Sequence, residues 1–320
     1  MRKTKINLTV FLVAAGLICT TISMNAQFNR VAMDRDYIIS LTSRWEGERL
    51  PDGRPYVSDD LLERLKSIVY THGWGGLRGH RFNNQYQGDW MMIKPDRDNV
   101  MTGRVVTAQY MPHRPDWAEL IREVGLAEGH ATAGGSNSWP IDMLTDGDVY
   151  VADGYGKIAW GTLIGDRLAS SIYDKSGRGV IFWGSVRNIQ VIEAIDGFNG
   201  WILGQDPSWI QDMMLTSINA PIRVGQVSVL PGDIVLASKF GTLFFPAYLV
   251  QEIVFDAEIS NLRHVYGIMR LRAGDWGTGQ IDSRWTDQMN SDFYIWLNNL
   301  PGSELPMPRA ELDEYLKDRL

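Results

Sequence analysis

Cysteine is all but absent. Cys19 is the single one among 320 residues, and it lies in an apolar run near the amino end. One thiol allows no intrachain disulfide and no thiolate metal cluster. Basic excess is lacking as well: 31 Lys and Arg face 38 Asp and Glu, a formal charge of −7. Nucleic-acid binding draws on clustered cations that release counterions, so an acidic chain fits that class poorly. Beyond the amino end no apolar stretch is long enough to span a bilayer. Phosphate-loop signatures are missing too. "DGYG" at 153–156 lacks the third glycine of GxGxxG, no GK[ST] occurs, and the segment reads as a tight turn. This argues against a methyltransferase. No internal repeat and no low-complexity tract is found.

The amino end has the layout of an export leader. A basic start, "MRKTK", precedes "INLTVFLVAAGLICTTIS", and Ala26 offers a small residue for cleavage. The alternative is an uncleaved anchor. A lipoprotein at Cys19 is disfavoured, because Ile18 before it is too large. Removing residues 1–26 removes Arg2, Lys3 and Lys5, so −7 becomes −7 − 3 = −10, and the mature chain has no cysteine. The expected location is the periplasm or the medium, with no membrane contact after cleavage.

Residues 27–57 read as an irregular arm ending in the turn chemistry of "PDGRPY". "SDDLLERLKSIVY" follows with Ser58 as N-cap and Leu61, Leu62, Leu65, Ile68 and Val69 at helical spacing. "THGWGGLRGHR" (71–81) reads as a glycine-rich loop. Its His72 and His80 suit a structural or substrate-shaping role better than metal binding. "GRVVTAQY" (103–110) predicts a strand and "ATAGGSNSW" (131–139) a loop. Then "DVYVAD", "GVIFWG" and "GWILG" predict strands separated by helices over 161–177 and within "NIQVIEAID", a parallel βαβ pattern. Residues 222–238 predict strands around a turn at Pro231-Gly232. Pro246 opens a long helix, and two more helices are expected in the tail. The twelve tryptophans fall mostly in helix or strand patterns, which points to packing rather than sugar stacking.

Four segments in order, "GDVYVADGYG", "GDRLA", "GRGVIFWGSVRN" and "VSVLPGDIVLAS", resemble the family of the regulator of ribonuclease E activity A and 4-hydroxy-4-methyl-2-oxoglutarate aldolase. The resemblance covers about residues 58–255 and leaves 256–320 as a helical extension. It implies an α/β, swivelling β/β/α fold, a homotrimer or homohexamer with sites between subunits, and cleavage of 4-hydroxy-2-oxo acids or decarboxylation of oxaloacetate with Mg²⁺ or Mn²⁺. The aldolases carry Asp, twenty residues, Arg, Asp. Here the pattern reads Asp166, twenty residues, Arg187, then Asn188.

That chemistry generates an enolate whose charge needs fixed positive partners. Arg187, just after a strand, is the expected carboxylate clamp. Gly165, Asp166, Arg167 and Leu168 are expected at a helix start, where backbone N–H groups favour an anionic substrate. Asp166 would organise a water. The family's metal ligand is the acid that Asn188 replaces, and Mg²⁺ prefers charged oxygen. Three readings stay open: a metal on other carboxylates such as Asp166 or Asp153, a metal held weakly by Asn188, or no metal and no lyase activity. The last would make the chain a non-catalytic oligomeric binding protein.

Overall fold

The structure is a computed structural model that describes residues 30–95 and 99–317. The expected leader, 1–26, lies outside the described residues. Eleven strands are present among those described: β1 (Tyr86–Gln87), β2 (Met91–Met92), β3 (Met101–Pro112), β4 (Asp148–Asp153), β5 (Val180–Val186), β6 (Gly200–Gln205), β7 (Met213–Ile218), β8 (Ile222–Val224), β9 (Val227–Val229), β10 (Ile234–Ser238) and β11 (Gly241–Phe245). Nine of them join one sheet in the order β1-β11-β10-β3-β4-β5-β6-β2, with β7 paired to the far half of β3. β3, β4, β5 and β6 run parallel. β8 and β9 form a separate hairpin.

Side chains alternate across this sheet, and both faces are covered. Val106, Tyr150, Phe182 and Ile202 point to one face and join Ile121, Trp139, Ile172 and Ile192 of the helices. Val105, Val149, Val151, Ile181 and Trp201 point to the other, where Ile222, Val224, Val227 and Val229 of the small hairpin cover them. The layers are therefore hairpin, sheet and helices, the β/β/α order implied by the resemblance. Burial on both faces explains the unbroken apolar runs of β4 and β5.

The strand and helix pattern at 148–205 matches the sequence reading closely. Three segments differ. The 71–81 segment, expected as a loop, lies for the most part in the helix Tyr70–Gly79. Its glycines are contact points: a Cβ on Gly76 would lie 3.0 Å from Ile253 Cγ2, and one on Gly73 2.9 Å from Ile68 Cδ1. Close packing on the long helix Ala247–Arg272 outweighs low helix propensity. Residues 161–164 belong to no helix, which starts only at Asp166. The 222–238 segment turns twice, because Gly225 (φ +59°) closes the β8–β9 hairpin ahead of the Pro231-Gly232 turn.

The amino-terminal arm is more ordered than its composition suggests. It carries the helix Arg35–Leu41, capped by Asp34, whose carboxylate accepts from Tyr37 N–H. Val31 and Ala32 N–H groups donate to the Glu128 carboxylate at 2.9 and 3.0 Å. Arg54, 1% exposed, donates twice to Asp148 (2.7 and 2.9 Å) and once to Asp52 (2.6 Å). At the other end the helix Ala247–Arg272 runs without a break through residue 255, and Asp287–Asn299 and Arg309–Lys317 fold back beside it. Among the described residues no helix is long and apolar enough to cross a membrane.

Candidate active site

Arg187 is the first residue after β5. Residues 162–164 run extended beside that strand: Thr162 bridges Ser185 in parallel, Leu163 N–H donates to Ser185 O (2.9 Å), and Arg187 N–H donates to Ile164 O (3.1 Å). This short pairing delivers Gly165 to the flank of Arg187. A Cβ on Gly165 would lie 3.0 Å from Arg187 Nε and 3.2 Å from its Cγ. The guanidinium stem thus lies over the one residue without a side chain.

Gly165 is also the N-cap of the helix Asp166–Ser176 and supplies no side-chain cap. The helix's first N–H groups, at Asp166, Arg167 and Leu168, have no acceptor four residues back. With the helix dipole they favour negative charge beside Arg187. Arg167 is exposed, and Leu168 is half-buried against the core. The ends of parallel strands are where open α/β sheets bind ligands. All five expected substrate-binding residues, 165–168 and Arg187, therefore meet at one place.

Asn188 completes the group. Its backbone is left-handed (φ +59°, ψ +38°), a conformation that Asn tolerates well. From there Nδ2 donates to Asp166 Oδ1 at 2.6 Å. An ionised carboxylate only accepts, so the amide must present N–H and turn its oxygen away. That hydrogen bond, followed by Asp166's own backbone N–H and the charges of Arg167 and Arg187, outweighs desolvation and holds the Asp166 carboxyl below its ordinary range. Asp166 is thus an anion at neutral pH.

These residues do not fit a divalent ion in the way the family's acid pair would. The second carboxylate is missing, and the amide N–H occupies the first one's oxygen. Asp153, the other candidate ligand, is buried and committed elsewhere. Its Oδ1 accepts from Tyr155 N–H (2.8 Å) and its Oδ2 from Gln109 Nε2 (3.1 Å), and burial raises its pKa. "DGYG" is accordingly a turn closed by Asp153. Among the described residues no group of three or more His, Cys, Asp or Glu gathers to hold a metal ion. His80 lies 3.6 Å from Glu252, and His72 is partly desolvated beside the Ala257 backbone, so both histidines of the 71–81 segment neighbour the helix Ala247–Arg272.

Some supporting residues carried no signal in the sequence. Asn137 Nδ2 donates to Leu163 O (2.8 Å), Thr162 Oγ1 to Ser208 O (2.6 Å) and Ser185 Oγ to Ile158 O (2.7 Å). They fasten the 158–165 segment to its neighbours and fix where Gly165 sits. Their partners are backbone atoms brought in by loops, which no periodicity reports.

A family model described as RraA-like, Aldolase/RraA, matches residues 57–243, more than half of the chain. This chain belongs to the RraA-like family. Among its curated relatives are two that each bear the name "Putative 4-hydroxy-4-methyl-2-oxoglutarate aldolase". The one from Ectopseudomonas mendocina is 28% identical over 34% of this chain and 66% of its own length. The one from Hahella chejuensis is 31% identical over 33% of this chain and 63% of its own length. The match spans just under two thirds of these relatives. Solved structures agree in fold. Streptomyces coelicolor RraAS2, described as an unusual member of the RNase ES inhibitor RraA family, gives a TM-score of 0.57 at 23% identity, covering 67% of this chain and all of its own. An uncharacterized Pseudomonas syringae protein gives 0.58 at 16%, covering 74% and 99%. The RraA-like match ends near β11, so the helices that follow lie beyond it.

Proposed function

We propose that this RraA-like chain is an aldolase-type carbon–carbon lyase acting on a small 2-oxo acid or sugar-derived acid. The observation that carries the reading is the seating of Arg187 on Gly165 at an uncapped helix start, with an ionised Asp166 alongside. The guanidinium and the N–H groups of Arg167 and Leu168 at the helix start would hold the substrate carboxylate and keto oxygen. As the C3–C4 bond breaks, its electron pair moves into the C2 carbonyl, and the same donors neutralise the enolate oxygen. A water held by Asp166 then gives its proton to C3. With a 4-hydroxy acid the C4 hydroxyl proton leaves through that water and C4 becomes a carbonyl. With oxaloacetate, C4 leaves as CO₂ and the water regains its proton from solvent. No step is assigned to a metal, because Asn188 takes the place of the ligand that would bind one.

Export to the periplasm or medium, assembly as a trimer or hexamer, and a small-molecule rather than nucleic-acid partner belong to the same proposal. They rest on the leader-like amino end, the family, and the acidic balance. Asn188 also favours a second reading, an oligomeric binding protein that keeps the anion site without turnover. The test is cleavage of oxaloacetate and 4-hydroxy-4-methyl-2-oxoglutarate with Mg²⁺, with Mn²⁺ and with EDTA. Pyruvate release that persists in EDTA and disappears in Arg187→Ala supports the lyase. Binding without release supports the second reading.

A further inference from the structure

The carboxy-terminal helices line an open cleft of about 670 Å³ that is remote in sequence from Arg187. One wall is a single face of the helix Ala247–Arg272, with Ser260, Arg263, His264 and Gly267 at helical spacing. The opposite wall is Ser283, Arg284 and Trp285, with Asn290 and Tyr294 of the next helix. In a chain with a formal charge of −7, this lining holds two arginines and a histidine, and no acid among the described residues.

Arg263 is fixed in place. Its guanidinium lies 4.2 Å from the Trp285 ring centre and 5.5 Å from that of Phe293, and Nη2 donates to Asn290 Oδ1 at 2.9 Å. Gly267 makes room for this wall: a Cβ there would meet Trp285 Cζ2 at 3.2 Å. A stacked guanidinium loses little freedom on binding and keeps further N–H donors for a ligand. Arg284 is exposed and has no acidic partner among the described residues. Hydroxyls at Ser260, Ser283 and Tyr294 add donors around the same space.

From this geometry we infer a second ligand site in the extension, for a metabolite-sized organic anion carrying phosphate or carboxylate groups. The volume falls in the range of small-molecule sites. Guanidiniums grip such oxyanions through paired N–H···O bonds, and this cleft offers two. The residues involved lie past the stretch that the RraA-like family model matches, so the site is independent of the lyase reading.

Thermal melting of the full chain with inorganic phosphate, with succinate, and with KCl at matched ionic strength tests this. A ligand that binds only the folded state raises the melting temperature with concentration. Phosphate, succinate or both should do so beyond KCl; which one acts separates a phosphate ligand from a carboxylate one. Arg284→Ala should raise the concentration for half the shift about tenfold, the loss of one charge-assisted contact. Arg263→Lys keeps the charge but not the stack, and should weaken binding while still folding. Arg187→Ala should leave the Arg284-dependent part of the shift intact. A shift equal to that of KCl, or one unchanged in Arg284→Ala, overturns the site. Abolition by Arg187→Ala with no effect of Arg284→Ala does so too, and assigns the anion to the strand-end site.

Discussion

The side chain of Arg187 rests on the α-carbon of Gly165, with Nε 3.0 Å from where a Cβ would stand. Alanine suits the Gly165 backbone (φ −120°, ψ −170°), so the obstacle is the arginine and not the chain. Gly165→Ala should fold normally and push the guanidinium aside. A misplaced binding group costs on the order of 10²-fold in turnover. Steady-state kinetics on oxaloacetate should show that fall in kcat/KM with an unchanged melting temperature. Equal losses of stability and activity would mean that Gly165 serves packing instead.

The Asn188–Asp166 bond can be read by titration. Asp166 sits below the ordinary carboxylate value of about 4 because the amide donates to its charged form. Any stability from the bond is therefore complete above that ordinary value and is lost as pH falls through the lowered one. In Asn188→Asp two carboxyls share the 2.6 Å contact, and one of them must retain its proton to higher pH. Carboxyl carbon shifts followed from pH 2 to 8 should show Asp166 titrating early in the wild type and a split, raised pair in the variant. Added Mg²⁺ should collapse that split in Asn188→Asp and leave the wild-type curve in place. An unperturbed wild-type Asp166 would refute the bond.

Arg54 joins the arm to the sheet through a pair that water hardly reaches, with side-chain exposures of 1% for Arg54 and 0% for Asp148. Burial opposes its charge, but Asp148 and then Asp52 more than offset this and raise the guanidinium pKa. Removing one partner strands the other. Arg54→Met should cost about 3–5 kcal/mol in urea unfolding. Arg54→Met with Asp148→Asn should recover part of the loss. A cost below 1 kcal/mol for the single variant would mean that the pair is solvated.

Asp233 lies in the turn between β9 and β10, where burial pushes its carboxyl up to about 7, against the one N–H it accepts, from Leu230 at 2.8 Å. The folded chain then holds a proton that the unfolded chain releases near pH 4. Stability falls between about pH 4 and 7 and is flat above, since the folded state binds more protons in that window. Asp233→Asn keeps the acceptor and removes the charge. It should be more stable than wild type by on the order of 1–2 kcal/mol at pH 8 and no different at pH 4. Parallel urea curves at the two pH values check both.

What the sequence discloses depends on what each residue faces. β4, β5 and β6 are legible because apolar side chains on both faces leave continuous runs. The meeting of Asp166 and Arg187 is legible through the family resemblance, whose Asp, twenty residues, Arg pattern one helix and one strand fill here. The Asn188–Asp166 hydrogen bond is not, because it needs a left-handed Asn188 that only the β5 turn imposes. The helix Tyr70–Gly79 is hidden for a related reason. Its glycines weaken the local signal, and the partner that rewards them, Ile253, lies far along the chain. The helix Pro115–Ala127 begins in plain terms, with Pro at its first position, and was open to reading from Pro115 and the Leu120, Ile121 and Val124 spacing.

One apolar cluster contains Ile234, Leu236, Leu243 and Phe245 of the sheet together with Phe293, Leu297, Leu312 and Leu316 of the tail. The tail therefore belongs to the interior and is not an appendage. A chain cut at residue 255 would sever a continuous helix and wet one side of β10 and β11. Such a fragment would gain a sticky face that the full chain covers there, and its failure would take the form of clumping rather than lost chemistry. The helices beyond β11 are thus a cover for β10 and β11 that every copy carries with it.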